Sequence, residues 1–220
     1  MLNDIFEQLT KLQNSKKAKE MSAYMKNKFE FLGVDSKSRK NIENNIFKEY
    51  KKIEYINFDF TDKCFKSKYR EFQYCAIDYL SLKKKYLNKT HIEKLKKYIL
   101  TKSWWDSVDG FHRIIGDIAL SDDSVNSILL EWSVDDNFWL RRIAICHQLI
   151  RKNNTNTNLL EEIIINNLNQ KEFFINKAIG WALRDYSKTN PKWVLGFIEK
   201  HKDKMSNLSI KEAAKYLNNK

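Results

Sequence analysis

The segment SWWDSVD, residues 103–109, places two tryptophans side by side and a carboxylate one helical turn after the second. Successive helical residues point about 100° apart, so Trp104 and Trp105 cannot both face one core. Helical spacing groups Trp104 with Val108 on the apolar face and Trp105 with Asp109 about a quarter-turn away. We predict that Trp104 packs in the core while the other pair faces a cleft. The alternative is a tryptophan at a helix contact beside a solvated aspartate.

A third tryptophan lies in FFINKAIGWALRDYSKTNP, residues 173–191. On a helix, Trp181 points away from the apolar stripe and shares its side with Lys177, Arg184 and Lys188. This pattern suits nucleic acid, because cations contact phosphates while a flat ring meets a sugar or base. Alternatively, the tryptophan packs on a neighbouring repeat and the cations are solvated.

Two arginines occur in FWLRRIAICHQL, residues 138–149. Helical spacing puts Arg141 on the polar side and Arg142 on the flank of the apolar side. A guanidinium on that flank needs a carboxylate or phosphate partner, because burying an unpaired charge is costly. An intramolecular salt bridge and a bound phosphate both remain open.

Two indoles beside a carboxylate form a site for a cation. Glycosidic cleavage passes through an oxocarbenium-like state and usually needs a second carboxyl to protonate the leaving group. A leaving base that is already cationic, such as an N3- or N7-alkylpurine, removes that need, so Asp109 alone would suffice. The residues permit this chemistry without requiring it.

These residues lie on helices that recur. NFWLRRIAIC, residues 137–146, aligns with EFFINKAIGW, residues 172–181, at a shift of 35. A backward shift of 68 aligns it with REFQYCAIDYL, residues 70–80, and SWWDSVDGFHRIIG lies halfway between, so four similar helices recur. A period of about 34 to 35 is typical of stacked helical repeats, although an irregular bundle is the alternative. We predict an all-α superhelix, HEAT-like or ARM-like, whose concave basic groove collects Asp109, Arg142 and Trp181.

Further helices are predicted before and between the motif helices, with no domain boundary in residues 1–220. Asn190 before Pro191 favours a helix start near Trp193. The polar segment RKNNTNTN, residues 151–158, is predicted to be a loop. The other predicted helices span residues 4–12, 18–32, 38–53, 92–101, 122–132, 159–168 and 193–201.

The composition supports long helices and a polyanionic partner. The 220 residues include one proline and five glycines, too few for a turn-rich sheet protein. The net charge of +12 favours nucleic acid over membrane as the partner. Alternatively, a base-composition bias in the coding sequence, which would also explain the abundant Lys and Asn, raises the positive charge. Three cysteines without a CxxC motif predict neither disulfides nor a zinc site. Without a signal peptide or long apolar run, we expect a soluble, cytoplasmic protein.

Together with MSAYMKNKFEFLGV, residues 21–34, the three motifs resemble the AlkD-type DNA alkylation repair family in order and spacing over nearly the whole chain. The resemblance implies a HEAT-like solenoid and a monofunctional glycosylase that removes N3- and N7-alkylpurines from double-stranded DNA. It also implies action on a stacked base without flipping, with no metal or other cofactor. We expect a monomer.

When the family's functional residues are carried over motif by motif, the catalytic carboxylate falls on Asp109 and the lesion-side tryptophans fall on Trp105 and Trp181. The arginine that binds the DNA backbone falls on Arg142. It places the aromatic residue of the N-terminal motif on Tyr24. We group the remaining DNA contacts as Tyr24, Arg141, Lys177, Arg184 and Lys188.

The sequence departs from the family pattern at two positions, Asn176 in place of a basic residue and Asp185 in place of Glu. The first is expected to weaken DNA affinity by one phosphate contact. Two rival functions remain: a non-catalytic binder of bent, branched or damaged DNA, and a protein-binding helical scaffold. Weak salt dependence of DNA binding would favour the scaffold.

Overall fold

The computed structural model describes residues 2–217, which form α-helices joined by short loops and 3-10 turns. The all-α prediction is confirmed. The chain divides into two compact units, Met1–Leu87 and Asn88–Lys220, so the single domain expected over residues 1–220 stays a prediction. Within the described part, every helix is too short or too polar to cross a bilayer.

The first unit contains five helices among its described residues. Polar side chains begin several of them: Asn14, Asp35 and Asn57 each accept a hydrogen bond from a backbone N–H in the first turn. The helices are α1 (Leu2–Lys11), α2 (Ser15–Tyr24), α3 (Ser36–Phe47), α4 (Phe58–Lys66) and α5 (Arg70–Leu82). The fourth was not predicted.

Two predicted helices of this unit are too long. The helix predicted over residues 18–32 ends at Tyr24, because Lys26 and Asn27 adopt positive φ angles of 59° and 56°. The one predicted over residues 38–53 ends at Phe47. The segment after α2 is held instead by the buried Glu71 carboxylate, which accepts hydrogen bonds from the backbone N–H groups of residues 32–34. These bonds come from a residue 37 to 39 positions further along the chain, so tertiary contacts rather than local propensity hold the segment in a non-helical form.

The second unit contains three of the four predicted motif helices and their partners, since the helix predicted at residues 70–80 is α5 of the first unit. Asn190 caps a helix that begins at Pro191, two residues before the predicted start. The helices are α6 (Ile92–Leu100), α7 (Trp105–Ser121), α8 (Val125–Ser133), α9 (Phe138–Cys146), α10 (Thr157–Ile165), α11 (Phe173–Ser187), α12 (Pro191–His201) and α13 (Asn207–Ala213). Only part of the loop predicted over residues 151–158 is present, because α10 already begins at Thr157. Helix α13 was not predicted from the sequence.

Helices α7, α9, α11 and α13 pack on one another in chain order. Hydrogen bonds between repeats join residues separated by nearly the predicted period. Their separations are 33 for Arg142 with Asp109, 35 for Ile150 with Asp185, 34 for Asn167 with Ser133 and 35 for Lys177 with Glu212. The second unit is therefore built from helix pairs that recur at the spacing read from the sequence.

Two glycines allow this close packing. A Cβ at Gly116 would lie 2.1 Å from the His147 carbonyl oxygen, and a Cβ at Gly180 would lie 2.5 Å from Glu212 Cβ. The backbones of α7 and α11 can approach their neighbours only because these positions lack a side chain. The spacing between repeats, and thus the placement of side chains on facing helices, depends on both glycines.

Candidate active site

A pocket of about 260 Å³ opens where α7, α9 and α11 meet. Its position follows from the helix packing, because each of these helices contributes side chains at neighbouring levels of the stack. The lining residues are Trp105, Asp109, Arg142, Phe173, Phe174, Lys177 and Trp181. The structure thus brings together the catalytic carboxylate, the two lesion-side tryptophans and the arginine that the family resemblance implies.

Asp109 and Arg142 form a two-bond ion pair across α7 and α9. Arg142 donates from Nε to Asp109 Oδ1 at 2.7 Å and from Nη2 to Oδ2 at 2.8 Å. The arginine side chain is 2% exposed and the aspartate side chain 22% exposed. Burial is the largest single influence on Arg142 and opposes its charge. The hydrogen bonds to Asp109, together with the electrostatic attraction of Cys146 and Asp109, exceed it and raise the guanidinium pKa. This geometry fixes the plane and direction of the carboxylate.

Two further contacts hold the Arg142 guanidinium. Its Nη1 donates to the Phe174 carbonyl oxygen at 2.6 Å, and its central carbon lies 4.9 Å from the centre of the Trp181 ring. The intramolecular salt bridge, one of the two partners left open by the sequence, is therefore present. The phosphate contact inferred from the family resemblance stays a prediction.

The two pocket tryptophans are half-buried, as expected for residues that face a cleft. Trp105 is the first residue of α7, whereas Trp104 precedes the helix in extended backbone, with φ −157° and ψ 162°. Trp104 packs edge-on against Trp139 and Phe174, with ring centres 5.9 and 5.2 Å away. Trp104 therefore packs on aromatic neighbours but is half-buried rather than in the core, so the predicted core position was wrong. The helical-face argument was also wrong, because the residue lies outside the helix.

Two phenylalanines complete the pocket and were missed in the sequence. Phe173 is 56% exposed, and Phe174 is stacked on Phe138 with ring centres 6.2 Å apart. Phe173 lies four residues before Lys177 and eight before Trp181, on the same side of α11. Extending that spacing one turn towards the N-terminus would have found it.

The predicted cations have protein partners. Lys177 and Arg184 donate to the Glu212 carboxylate on α13 at 2.7 and 2.6 Å. The Lys188 ammonium lies 4.9 Å from the centre of the Tyr216 ring. Glu212 therefore lowers the net positive charge beside Trp181, which the sequence did not lead us to expect.

Arg141 is half-buried and donates to the Asp135 carbonyl oxygen at 3.0 Å. Tyr24 ends α2 in the first unit, where it is 70% exposed and lines a separate pocket of about 280 Å³ with Met21 and Phe31. An exposed aromatic ring beside an apolar hollow is compatible with the predicted nucleic-acid contact.

The two departures from the family pattern have structural roles. Asn176 is buried and donates from Nδ2 to the Gln170 carbonyl oxygen at 3.1 Å. Asp185 Oδ2 accepts a hydrogen bond from the backbone N–H of Ile150 at 2.6 Å. Both side chains tie neighbouring segments of the repeat stack together, and the effect of Asn176 on DNA affinity stays a prediction.

Stacked helix pairs define an all-α helical-repeat protein, and its strongly basic composition and aromatic pocket favour a nucleic-acid partner. The chain belongs to the DNA alkylation repair enzyme family, whose family model matches residues 5–217. The resemblance stated from the motifs is confirmed. The protein is therefore a DNA alkylation repair protein, with DNA as its partner.

A solved structure supports the same assignment. A predicted DNA alkylation repair enzyme from Enterococcus faecalis is 33% identical, with 94% of this chain and 98% of that chain covered and a TM-score of 0.84. A search of curated proteins gave no significant match.

Proposed function

We propose that the protein is a DNA glycosylase that hydrolyses the N-glycosidic bond of cationic N3- and N7-alkylpurines in double-stranded DNA. The observation that carries this proposal is the Asp109 carboxylate, held by buried Arg142 in a pocket lined by Trp105 and Trp181. Family membership indicates that the partner is DNA and that the lesion is alkylation damage. The pocket supplies a negative charge and two aromatic rings, which favour a cation.

In the proposed reaction, the bond between C1′ and the purine nitrogen breaks, and its electron pair neutralises the cationic base. The deoxyribose then carries the positive charge, as in other glycosidic cleavages. The Asp109 carboxylate stabilises that charge and orients a water molecule, whose oxygen bonds to C1′ while its proton passes to the carboxylate or solvent. No group is needed to protonate the leaving base.

The surroundings of Asp109 support preorganisation. Arg142 holds both carboxylate oxygens, so the group need not reorient as charge develops on the sugar. The carboxylate remains 22% exposed and therefore reachable from the pocket. A buried arginine and a partly exposed aspartate favour a positioning role for Arg142.

The pocket size supports recognition of the lesion through its sugar. At about 260 Å³, the pocket is smaller than the cavities that usually enclose a drug-sized ligand. Trp105 and Trp181 would contact the deoxyribose edge while the base remains stacked, in contrast to enzymes that flip the base out.

Monofunctional action is also supported. A lyase reaction would need a neutral amine to attack C1′. Among the pocket-lining residues that the structure describes, the amine comes from Lys177. Its ammonium is ion-paired with the Glu212 carboxylate at 2.7 Å, which favours the protonated form. We therefore propose hydrolysis without a covalent intermediate. The family resemblance is the basis for proposing that no metal or other cofactor takes part, and we propose that the protein acts as a monomer.

The test is product analysis after incubation with methylated and unmethylated duplex DNA. We expect the wild type to release free 3-methyladenine and 7-methylguanine and to leave abasic sites that break only on later alkali treatment. Asp109→Asn should lose release while retaining DNA binding. No release by a folded, DNA-binding wild type would contradict the proposal and favour a non-catalytic binder of damaged or bent DNA.

A further inference from the structure

Glu212 on α13 is a buried carboxylate surrounded by three cations. It is 6% exposed. Its oxygens accept hydrogen bonds from Lys177 Nζ at 2.7 Å, Arg184 Nη1 at 2.6 Å and Lys215 Nζ at 3.2 Å. The Lys177 hydrogen bond is the main cause that lowers the Glu212 pKa, so the group is an anion at neutral pH.

Helix packing fixes the position of this anion. The close approach of α13 to Gly180 leaves no room for a Cβ, which would lie 2.5 Å from Glu212 Cβ. Ser209, one turn before Glu212, donates from Oγ to the Asn176 carbonyl oxygen at 2.8 Å. Both contacts join α13 to α11, so Glu212 is held between Lys177 and Arg184.

Lys177 connects this anion to the active site. Its side chain lines the same pocket as Asp109. Among the lining residues in the described part of the chain, Asp109 supplies the carboxylate. A lysine carries a compact charge on a flexible four-carbon stem. Without Glu212, the Asp109 carboxylate would be an available partner for the Lys177 ammonium within the pocket. A protein cation there would repel a cationic nucleotide and compete with it for Asp109.

We infer that Glu212 is a positioning residue that holds the Lys177 ammonium away from Asp109 and thereby keeps the pocket selective for a cationic ligand. The inference rests on the proposed function, because it takes the substrate or its transition state to be cationic. It also explains why a lysine can lie beside a site that must accept positive charge.

The test compares Glu212→Gln, Lys177→Met and the double variant, with Glu161→Gln as the matched control. Glu161 on α10 pairs with Lys200 at 2.8 Å and is outside the pocket lining. We expect Glu212→Gln to lower the single-turnover excision rate about tenfold or more, because repulsion at close range is strong. At saturating enzyme, where loss of a DNA contact at Lys177 does not limit the rate, Lys177→Met in the same chain should restore most of that loss, and the control should stay near wild type.

A binding measurement separates this inference from the glycosylase proposal. The probes are two duplexes that carry either a cationic azasugar or a neutral tetrahydrofuran at one position. We expect wild-type protein to prefer the cationic duplex, Glu212→Gln to lose about tenfold of that preference, and the double variant to regain it. These results would support the inference even if the wild type released no base, an outcome that would reject only the glycosylase.

Thermal unfolding distinguishes positioning from simple helix packing. Neither Glu212→Gln nor the double variant can form the 177–212 ion pair, so both should unfold at similar temperatures. Recovery of excision and of cation preference without recovery of stability would therefore support the inference. Unchanged preference in Glu212→Gln, or a loss that Lys177→Met fails to restore, would overturn it.

Discussion

Arg142 and Asp109 join neighbouring repeats through two parallel hydrogen bonds, at 2.7 Å from Nε to Oδ1 and at 2.8 Å from Nη2 to Oδ2. The arginine is buried in α9, while the aspartate on α7 reaches the pocket. The carboxylate therefore takes its orientation from the stacking of helices and from the buried guanidinium. The repeat architecture is thus what preorganises the site.

Arg142→Lys should separate positioning from phosphate binding. Lysine keeps the charge but cannot make the two parallel bonds or the third bond to the Phe174 carbonyl oxygen. We expect the excision rate at saturating enzyme to fall roughly a hundredfold and the free energy of unfolding to fall by about 2 kcal/mol. Single-turnover kinetics and chemical denaturation would measure these effects.

Arg141→Lys is the control for that variant, because Arg141 is half-buried and donates to the Asp135 carbonyl oxygen. It should change excision by less than about threefold. The positioning role would be contradicted if Arg142→Lys kept the saturated rate but lowered DNA affinity and its salt slope, as loss of a phosphate contact would.

Trp181 should matter through its aromatic face. Its ring lies 4.9 Å from the Arg142 guanidinium and also lines the pocket. We expect Trp181→Ala to weaken binding to lesion-containing duplex by about tenfold, since one aromatic contact to a nucleotide contributes about 1–3 kcal/mol. Trp181→Phe should stay within about threefold, because a ring is kept. Fluorescence anisotropy with lesion and undamaged duplexes measures the difference, and equal losses in both variants would contradict this role.

The fold was predictable to the extent that the residues repeat. The shift of 35 between the α9 and α11 motifs appears in the structure as contacts between residues 33 to 35 positions apart. Helix ends were less predictable, because they depend on residues distant in sequence, such as the Glu71 carboxylate that holds the backbone of residues 32–34. Helix α13 has seven residues, too few to show a clear hydrophobic period.

The site was predictable where one helix contains both members of a pair. Trp105 and Asp109 share a side of α7, and Lys177 and Trp181 share a side of α11. The partner of Arg142 could not be chosen from sequence, because a salt bridge and a phosphate satisfy the same guanidinium. Glu212 was missed, although one more repeat period of 35 residues from Lys177 reaches it.

Lys188 should report the electrostatic part of DNA binding. It is exposed, follows Trp181 by seven residues and lies beside the Tyr216 ring. We expect Lys188→Ala to reduce the slope of log affinity against log salt by about one, the effect of one lost phosphate contact. Lys200→Ala, which removes a lysine paired with Glu161, should leave the slope unchanged. An unchanged slope in Lys188→Ala would place that lysine outside the DNA contact.

His147 should make the fold less stable in acid. Burial, followed by the nearby Arg151 charge, lowers the pKa of its imidazole to about 3. The folded state thus keeps His147 neutral where the unfolded state binds a proton. Its contribution is complete above about pH 6.5 and falls by about 1.4 kcal/mol per unit down to about pH 3. Denaturant unfolding of wild type and His147→Asn should show a shallower acid dependence in the variant, and identical slopes would contradict this assignment.

The most direct measurement is single-turnover release of 7-methylguanine from a duplex with one lesion, with DNA affinity measured in parallel. Wild type would be compared with Asp109→Asn and with Asp106→Asn, a nearby carboxylate of α7 that does not line the pocket. We predict that Asp109→Asn lowers the rate by about a hundredfold to a thousandfold at nearly unchanged affinity, while Asp106→Asn stays close to wild type. Equal rates for wild type and Asp109→Asn would contradict the central claim that this carboxylate carries the chemistry.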